Sequence, residues 1–127
     1  MQENDEFPSY FKRRDDDPEW YTPFLNALHP KRKEHYESWR NVGMALKAKY
    51  GVTPYDNAII GDPDIEKRAY RVFDEWSKGA KNYNQEKNKK MWDSFKTAIQ
   101  LYEAGRQKAH TVKTIMWMWR EDQFYGS

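Results

Sequence analysis

Between Trp76 and Lys90 the chain reads WSKGAKNYNQEKNKK. Lys78 and Lys81 flank a glycine, Tyr83 stands in a polar turn, and Lys87, Lys89 and Lys90 fall on the first turns of the helix that Asn84 is placed to cap. Ammonium groups at a helix start, beside free backbone amides, form a phosphate-binding arrangement. Cations there oppose the helix dipole unless an anion compensates them. Tyr83, and Trp76 if its ring is open, would stack a nucleobase. The plainer reading is that Trp76 and Trp92 are core residues and the lysines a solvated face. Helical spacing favours the core for the tryptophans, and clustering at a helix start favours anion contact for the lysines. His110 and Lys113 bracket a second helix start, where simple capping by Thr111 is the preferred reading.

The charge pattern agrees with a local anionic partner. Net charge is only +2, but residues 31–51 carry six bases against two acids and residues 81–113 carry eight against three, whereas residues 1–19 carry seven acids against three bases. Two basic segments on a near-neutral chain are the footprint expected of an anion-binding surface. Arg32, Lys33 and Arg40 belong to the first of them. Catalysis finds no support. No GxxxxGK[ST], GxSxG or HExxH pattern occurs, and the absence of cysteine removes thiolate chemistry and disulfides. Asp15, Asp16 and Asp17 read as a solvated acidic tract without further ligands, and the adjacent Asp74 and Glu75 point in different directions on a helix. No cofactor is implied by a recognisable motif. No apolar run spans a bilayer and the N-terminus lacks a signal-peptide pattern, so the expectation is a soluble, cytoplasmic protein.

The positioning elements are expected to be helices. Residues 1–17 read as an acidic arm and 18–125 as one domain. Asp17-Pro18 and Thr22-Pro23 are helix-start signals leading to a short helix over 23–28. Over 31–50, Tyr36, Trp39, Val42, Leu46 and Tyr50 form one apolar face opposite Lys33, Glu37, Arg40 and Lys47, with Gly51 as a positive-φ cap and Gly43 making room for a close neighbour. Residues 52–61 read as a loop. Asp62-Pro63 opens a helix with Ile65, Ala69, Val72 and Trp76 inward. Asn84 opens another, to 104, burying Met91, Trp92, Phe95, Ile99 and Tyr102. A basic connector with Arg106 and Lys108 leads to a last helix with Val112, Ile115, Met116 and Trp119 inward. The fold class is all-α, a compact bundle of four to five helices, with aromatics (17% of residues) filling a small core.

The segments FLNALHPKRKEHYESWRNVGMALK, FDEWSKGAKNYNQEKNKKMWDSF and HTVKTIMWMWRED resemble the primase C-terminal type 2 domain. The likeness is carried by Leu28, Pro30 and Arg32, by Tyr36 and Trp39, by Val42-Gly43 with Leu46, by Trp76-Ser77-Lys78, by Tyr83, Trp92 and Phe95, and by Thr114 and Trp117. It extends over about residues 24–122. That module occurs in primase-polymerases and primase-helicases of phages, plasmids and large DNA viruses. The resemblance implies a non-catalytic accessory domain of a longer protein, in the host cytoplasm or at a viral replication site. Its partners would be single-stranded DNA template, a nucleoside triphosphate such as ATP with magnesium, and the primase catalytic and helicase domains. By position it adds Ser77 to the candidate contacts. The alternative is a structural spacer that docks primase onto helicase, whose sign would be exposed apolar residues among Phe7, Tyr10, Trp117 and Phe124.

Overall fold

The computed structural model describes residues 14–105 and 110–124. Phe7, Tyr10, Arg106 and Lys108 lie outside them. The architecture is helical, with seven α-helices and one small hairpin among the described residues: α1 (Thr22–Asn26), α2 (Lys31–Glu34), α3 (Tyr36–Tyr50), β1 (Thr53–Tyr55), β2 (Ala58–Ile60), α4 (Pro63–Ser77), α5 (Gln85–Ser94), α6 (Ala98–Glu103) and α7 (Val112–Phe124). Two 3-10 turns, Arg14–Asp16 and Pro18–Tyr21, precede α1.

The core is built around Phe73 of α4, which is fully buried. Its ring lies 5.5 Å from Trp39, 5.8 Å from Trp92 and 6.4 Å from Phe95. α3 packs against α4 and α7, and Gly43 lets the rings reach its backbone. A Cβ there would lie 2.5 Å from the Phe95 ring and 2.9 Å from that of Phe73. The expected close neighbour is thus a pair of aromatic rings. α7 closes the other side through Ile115 and Met118, and Trp119 meets Phe24 edge-on at 5.2 Å. Met118, which falls off the expected inward stripe, is more deeply buried than Met116, a member of it.

Several boundaries differ from the periodicity. The expected 31–50 helix breaks at extended His35 (φ −91°, ψ 119°). α2 is pinned by tertiary contacts, Arg32 to Asp122 and Glu121 of α7 and Glu34 to the Lys81 amide, while α3 follows the core. Tyr36, expected inward, is exposed. Lys47, expected outward, is 7% exposed. Its ammonium donates to the Trp92 carbonyl at 3.1 Å, lies 5.4 Å from that indole's centroid, and pairs with Glu66 at 3.6 Å. Glu66 in turn accepts from Trp92 Nε1 (3.1 Å) and the Val52 amide (2.7 Å). A buried cation survives there because each polar group around it has a partner.

The second long helix also breaks. Thr97 forms a capping box with Gln100, starting α6 anew after Phe95, whose backbone is extended. As a result Tyr102, expected in the core, is exposed. Residues 53–60 form an antiparallel hairpin, Thr53 opposite Ile60 and Tyr55 opposite Ala58, and not a plain loop. Its turn uses Asp56 at φ 54° followed by Asn57, residue types that tolerate the left-handed region. Gly51 is not a positive-φ cap (φ −73°). A Cβ there would sit 2.6 Å from the Lys47 carbonyl oxygen.

The acidic run is part of the fold and not a solvated tract. Asp15 accepts from Tyr21 Oη at 3.1 Å and pairs with Lys49 at 3.5 Å, and Tyr50 Oη donates to its carbonyl. Asp17 does not cap the following turn with its side chain; with Glu19 it holds Arg68, at 3.1 and 2.6 Å.

Candidate nucleic-acid interface

The turn after α4 and the start of α5 face α2 and the first turn of α3 across a cleft of about 230 Å³. Lys33, Tyr36, Trp39, Tyr83, Asn84 and Lys87 line it. Local chemistry explains why the chain turns here. α4 ends with Lys78, where the Ala80 amide returns to the Ser77 carbonyl at 2.9 Å. The Asn84 side chain accepts the Lys87 amide at 2.9 Å and starts α5.

Asp74 fixes the far wall. Its Oδ1 accepts from Tyr83 Oη at 2.6 Å, Asn88 Nδ2 at 2.9 Å and Tyr70 Oη at 3.3 Å. One carboxylate thus ties the turn and α5 to α4. Burial, and then the bond to Asp74, push the Tyr83 hydroxyl well above the ordinary tyrosine range. Asp74 is a site-shaping residue that the sequence reading passed over. The signal lay in Tyr70 and Asp74, four residues apart on one helix face.

The expected contact residues separate into classes. Trp76 is 3% exposed and Ser77 1%, so both are held within the protein, Ser77 at the floor of the cleft it helps to line. Ser77 Oγ instead accepts from Trp39 Nε1 and donates to the Phe73 carbonyl, each at 2.8 Å. Trp76 acts from beneath: Lys33 Nζ lies 5.6 Å from its ring centroid, holding that ammonium in the cleft. Lys33, Tyr83 and Lys87 are brought together, joined by Tyr36 and Trp39, which the apolar stripe had assigned to the core. Lys78 is paired with Glu75 at 2.8 Å and Lys89 with Asp93 at 2.8 Å, so both are partly neutralised. Lys81 and Lys90 are exposed, outside the cleft lining, and have no ion pair among the described residues. Arg40 stacks over Tyr36 at 5.5 Å, extending the rim.

His110 and Lys113 lie elsewhere, with Arg32, on a groove of about 550 Å³ between α3 and α7. Arg32 is not a free cation. It clamps Asp122 (2.8 Å) and Glu121 (3.0 Å), which raise its pKa further. Burial pushes the Asp122 carboxyl up, but the Arg32 hydrogen bonds and the His29 amide outweigh it and hold the carboxyl below its usual range. Thr111 Oγ1 accepts the Lys113 amide at 3.2 Å, as the capping reading expected.

The sequence model of the family Primase C terminal 2 (PriCT-2) matches residues 21–118, more than three quarters of the chain. The chain belongs to this family. Comparison with curated proteins and with solved structures gave no match. The PriCT-2 match begins at Tyr21 and ends at Met118, and it contains every lining residue of both the cleft and the α3–α7 groove. This is therefore a primase-associated C-terminal domain, and the likeness seen in the sequence is correct. None of the helices among the described residues is long and apolar enough to cross a membrane.

Proposed function

We propose that this PriCT-2 domain binds single-stranded template and a nucleoside triphosphate with magnesium, and that it assists primer initiation without catalysing a step itself. The observation that carries the reading is the cleft in which Lys33 and Lys87 face three aromatic rings at the start of α5. Ammonium groups meet phosphates, the helix start adds positive potential, and Tyr36, Trp39 and Tyr83 suit the flat faces of bases. Lys81, Lys90 and Arg40 extend the basic surface beyond it. The partners would be the primase catalytic domain and a helicase domain, at the host's or a virus's replication site in the cytoplasm.

The test is fluorescence anisotropy of a labelled oligonucleotide at low salt, with and without ATP–magnesium. Binding should weaken with salt, with a log–log slope of about −1.5 to −3 if two to four phosphates are neutralised. Lys33→Ala with Lys87→Ala should weaken it further. No binding under either condition sinks the proposal for this domain.

A second reading, a spacer docking primase onto helicase, is favoured by exposed Trp117 and Phe124 on α7 and by Tyr55, Ile59 and Ile60 on the hairpin. It requires that charge reversal at Lys33 and Lys87 leave priming by the full-length protein intact.

A further inference from the structure

Of the six tryptophans, five are buried or half-buried, and Trp117 alone is open, at 59%. It projects from α7 beside the groove that this helix forms with α3. Its neighbours in sequence on the buried face, Ile115 and Met118, already fill the core. At that exposure the indole adds little to the packing of the domain.

We propose that this groove receives one unpaired nucleobase of a template strand, stacked on Trp117, with an adjoining phosphate at Lys113. The inference rests on the DNA-binding reading above but concerns another face of the domain. Four observations support it. First, the groove's volume of about 550 Å³ lies within the range of small-ligand clefts, roughly 300–1,000 Å³. Second, Lys113 and Trp117 are four residues apart on one helix, hence on one face, and Lys113 has no ion pair among the described residues. A base and its own phosphate need a ring and a cation so related.

Third, Asn41 lines the groove, and its buried Oδ1 has no hydrogen-bond partner among the described residues. An orphaned amide oxygen is relieved by a donor, and every nucleobase carries an N–H on its pairing edge. Fourth, hydrogen-bonding side chains share the lining with the indole and Met118: His110, Thr114 and Asn41, with Glu37 as the one acid. A ring flanked by hydrogen-bond donors and acceptors suits a base, whose edge carries both. The two binding regions also adjoin. Consecutive residues Arg32 and Lys33 line the groove and the cleft respectively, so a strand crossing α2 would connect them.

The experiment uses an oligonucleotide carrying a single 2-aminopurine, with anisotropy and 2-aminopurine emission read together. Wild type should quench the probe. Trp117→Ala should lose the quenching and bind roughly ten-fold or more weakly, with an unchanged melting temperature because the side chain is exposed. Trp117→Phe should keep most of both signals. Lys33→Ala with Lys87→Ala should weaken binding, yet retain quenching at saturating protein, because the stacked base lies elsewhere. If Trp117→Ala binds as tightly as wild type, or quenches as well, the inference is overturned while the DNA-binding reading stands. If wild type binds no oligonucleotide, both fall.

Discussion

Replacing Asp74 by alanine would remove the acceptor of three hydrogen bonds at once. Two are short, at 2.6 Å from Tyr83 and 2.9 Å from Asn88, and the third, from Tyr70, is 3.3 Å. A hydrogen bond to a charged group contributes about 1.5–3 kcal/mol net. The three donors share one oxygen and are only part-buried, so they do not add fully, and water can re-solvate the two hydroxyls. About 2–3 kcal/mol of destabilisation is the expected total. At about 4 °C per kcal/mol for a domain of this size, the melting temperature should fall by about 10 °C. Asp74→Asn keeps an acceptor oxygen without the charge and should cost about 1 kcal/mol. Thermal melts of Asp74→Ala, Tyr83→Phe and the double variant make the cycle. Removing the Tyr83 hydroxyl in the Asp74→Ala background should be nearly neutral. A melting temperature for Asp74→Ala within about 2 °C of wild type, or additive effects in the double variant, would refute the idea that this carboxylate ties the turn to α4.

Three further outcomes follow from the same geometry. Gly43→Ala drives a methyl into the Phe95 and Phe73 rings; an overpacking cost of about 1–3 kcal/mol outweighs the helix-propensity gain of about 1 kcal/mol, so urea unfolding should show a lower midpoint. Gly79→Ala meets the end of a flexible side chain, Lys33 Nζ at 2.7 Å, so stability should hardly change while oligonucleotide affinity falls as that ammonium leaves the cleft. The hydroxyls of Tyr83, Tyr70 and Tyr50 have pKa values raised, chiefly by burial. Above pH 10 the unfolded chain releases these protons first, so the tyrosines' contribution is level below about pH 10 and stability should fall as pH rises beyond it, in denaturant titrations at stepped pH.

What the sequence disclosed were the features that act locally. Asp62 and Asn84 cap their helices through their side chains, as their types and places suggested. Gly105 ends α6 at φ 74°, and Val42, Leu46, Phe73 and Trp92 fill the core at helical spacing. What it concealed was set by distant partners. Lys47 looks like a surface lysine until Glu66 and the Trp92 carbonyl arrive from other segments. His35 interrupts a good helical pattern because Arg32 and Glu34 are held by segments far along the chain. The capping box at Thr97 and Gln100 went unread, because an apolar period runs straight through it. The binding surface was half legible for a similar reason. The lysines could be counted, but which of them are neutralised depends on Glu75 and Asp93, and which aromatics face the cleft depends on how far the apolar stripe of α3 outlasts the core.

That sorting of charge is the main step from fold to function. Arg32, Arg68, Lys47, Lys78 and Lys89 are held by carboxylates within 4 Å, so their fields are largely cancelled nearby. Lys33, Lys87 and Lys113 have no such partner among the described residues, and each lines a cavity beside an aromatic ring. A near-neutral net charge therefore leaves unpaired ammonium groups in both cavities, which also hold the carboxylates of Glu34 and Glu37. Paired cations hold the frame; among the unpaired ones, Lys33, Lys87 and Lys113 line the two cavities, whereas Lys81 and Lys90 lie outside them. The acids of the N-terminal run take part in the same division: Asp15 and Asp17 engage Lys49 and Arg68 at the other end of α3 and α4, away from both cavities.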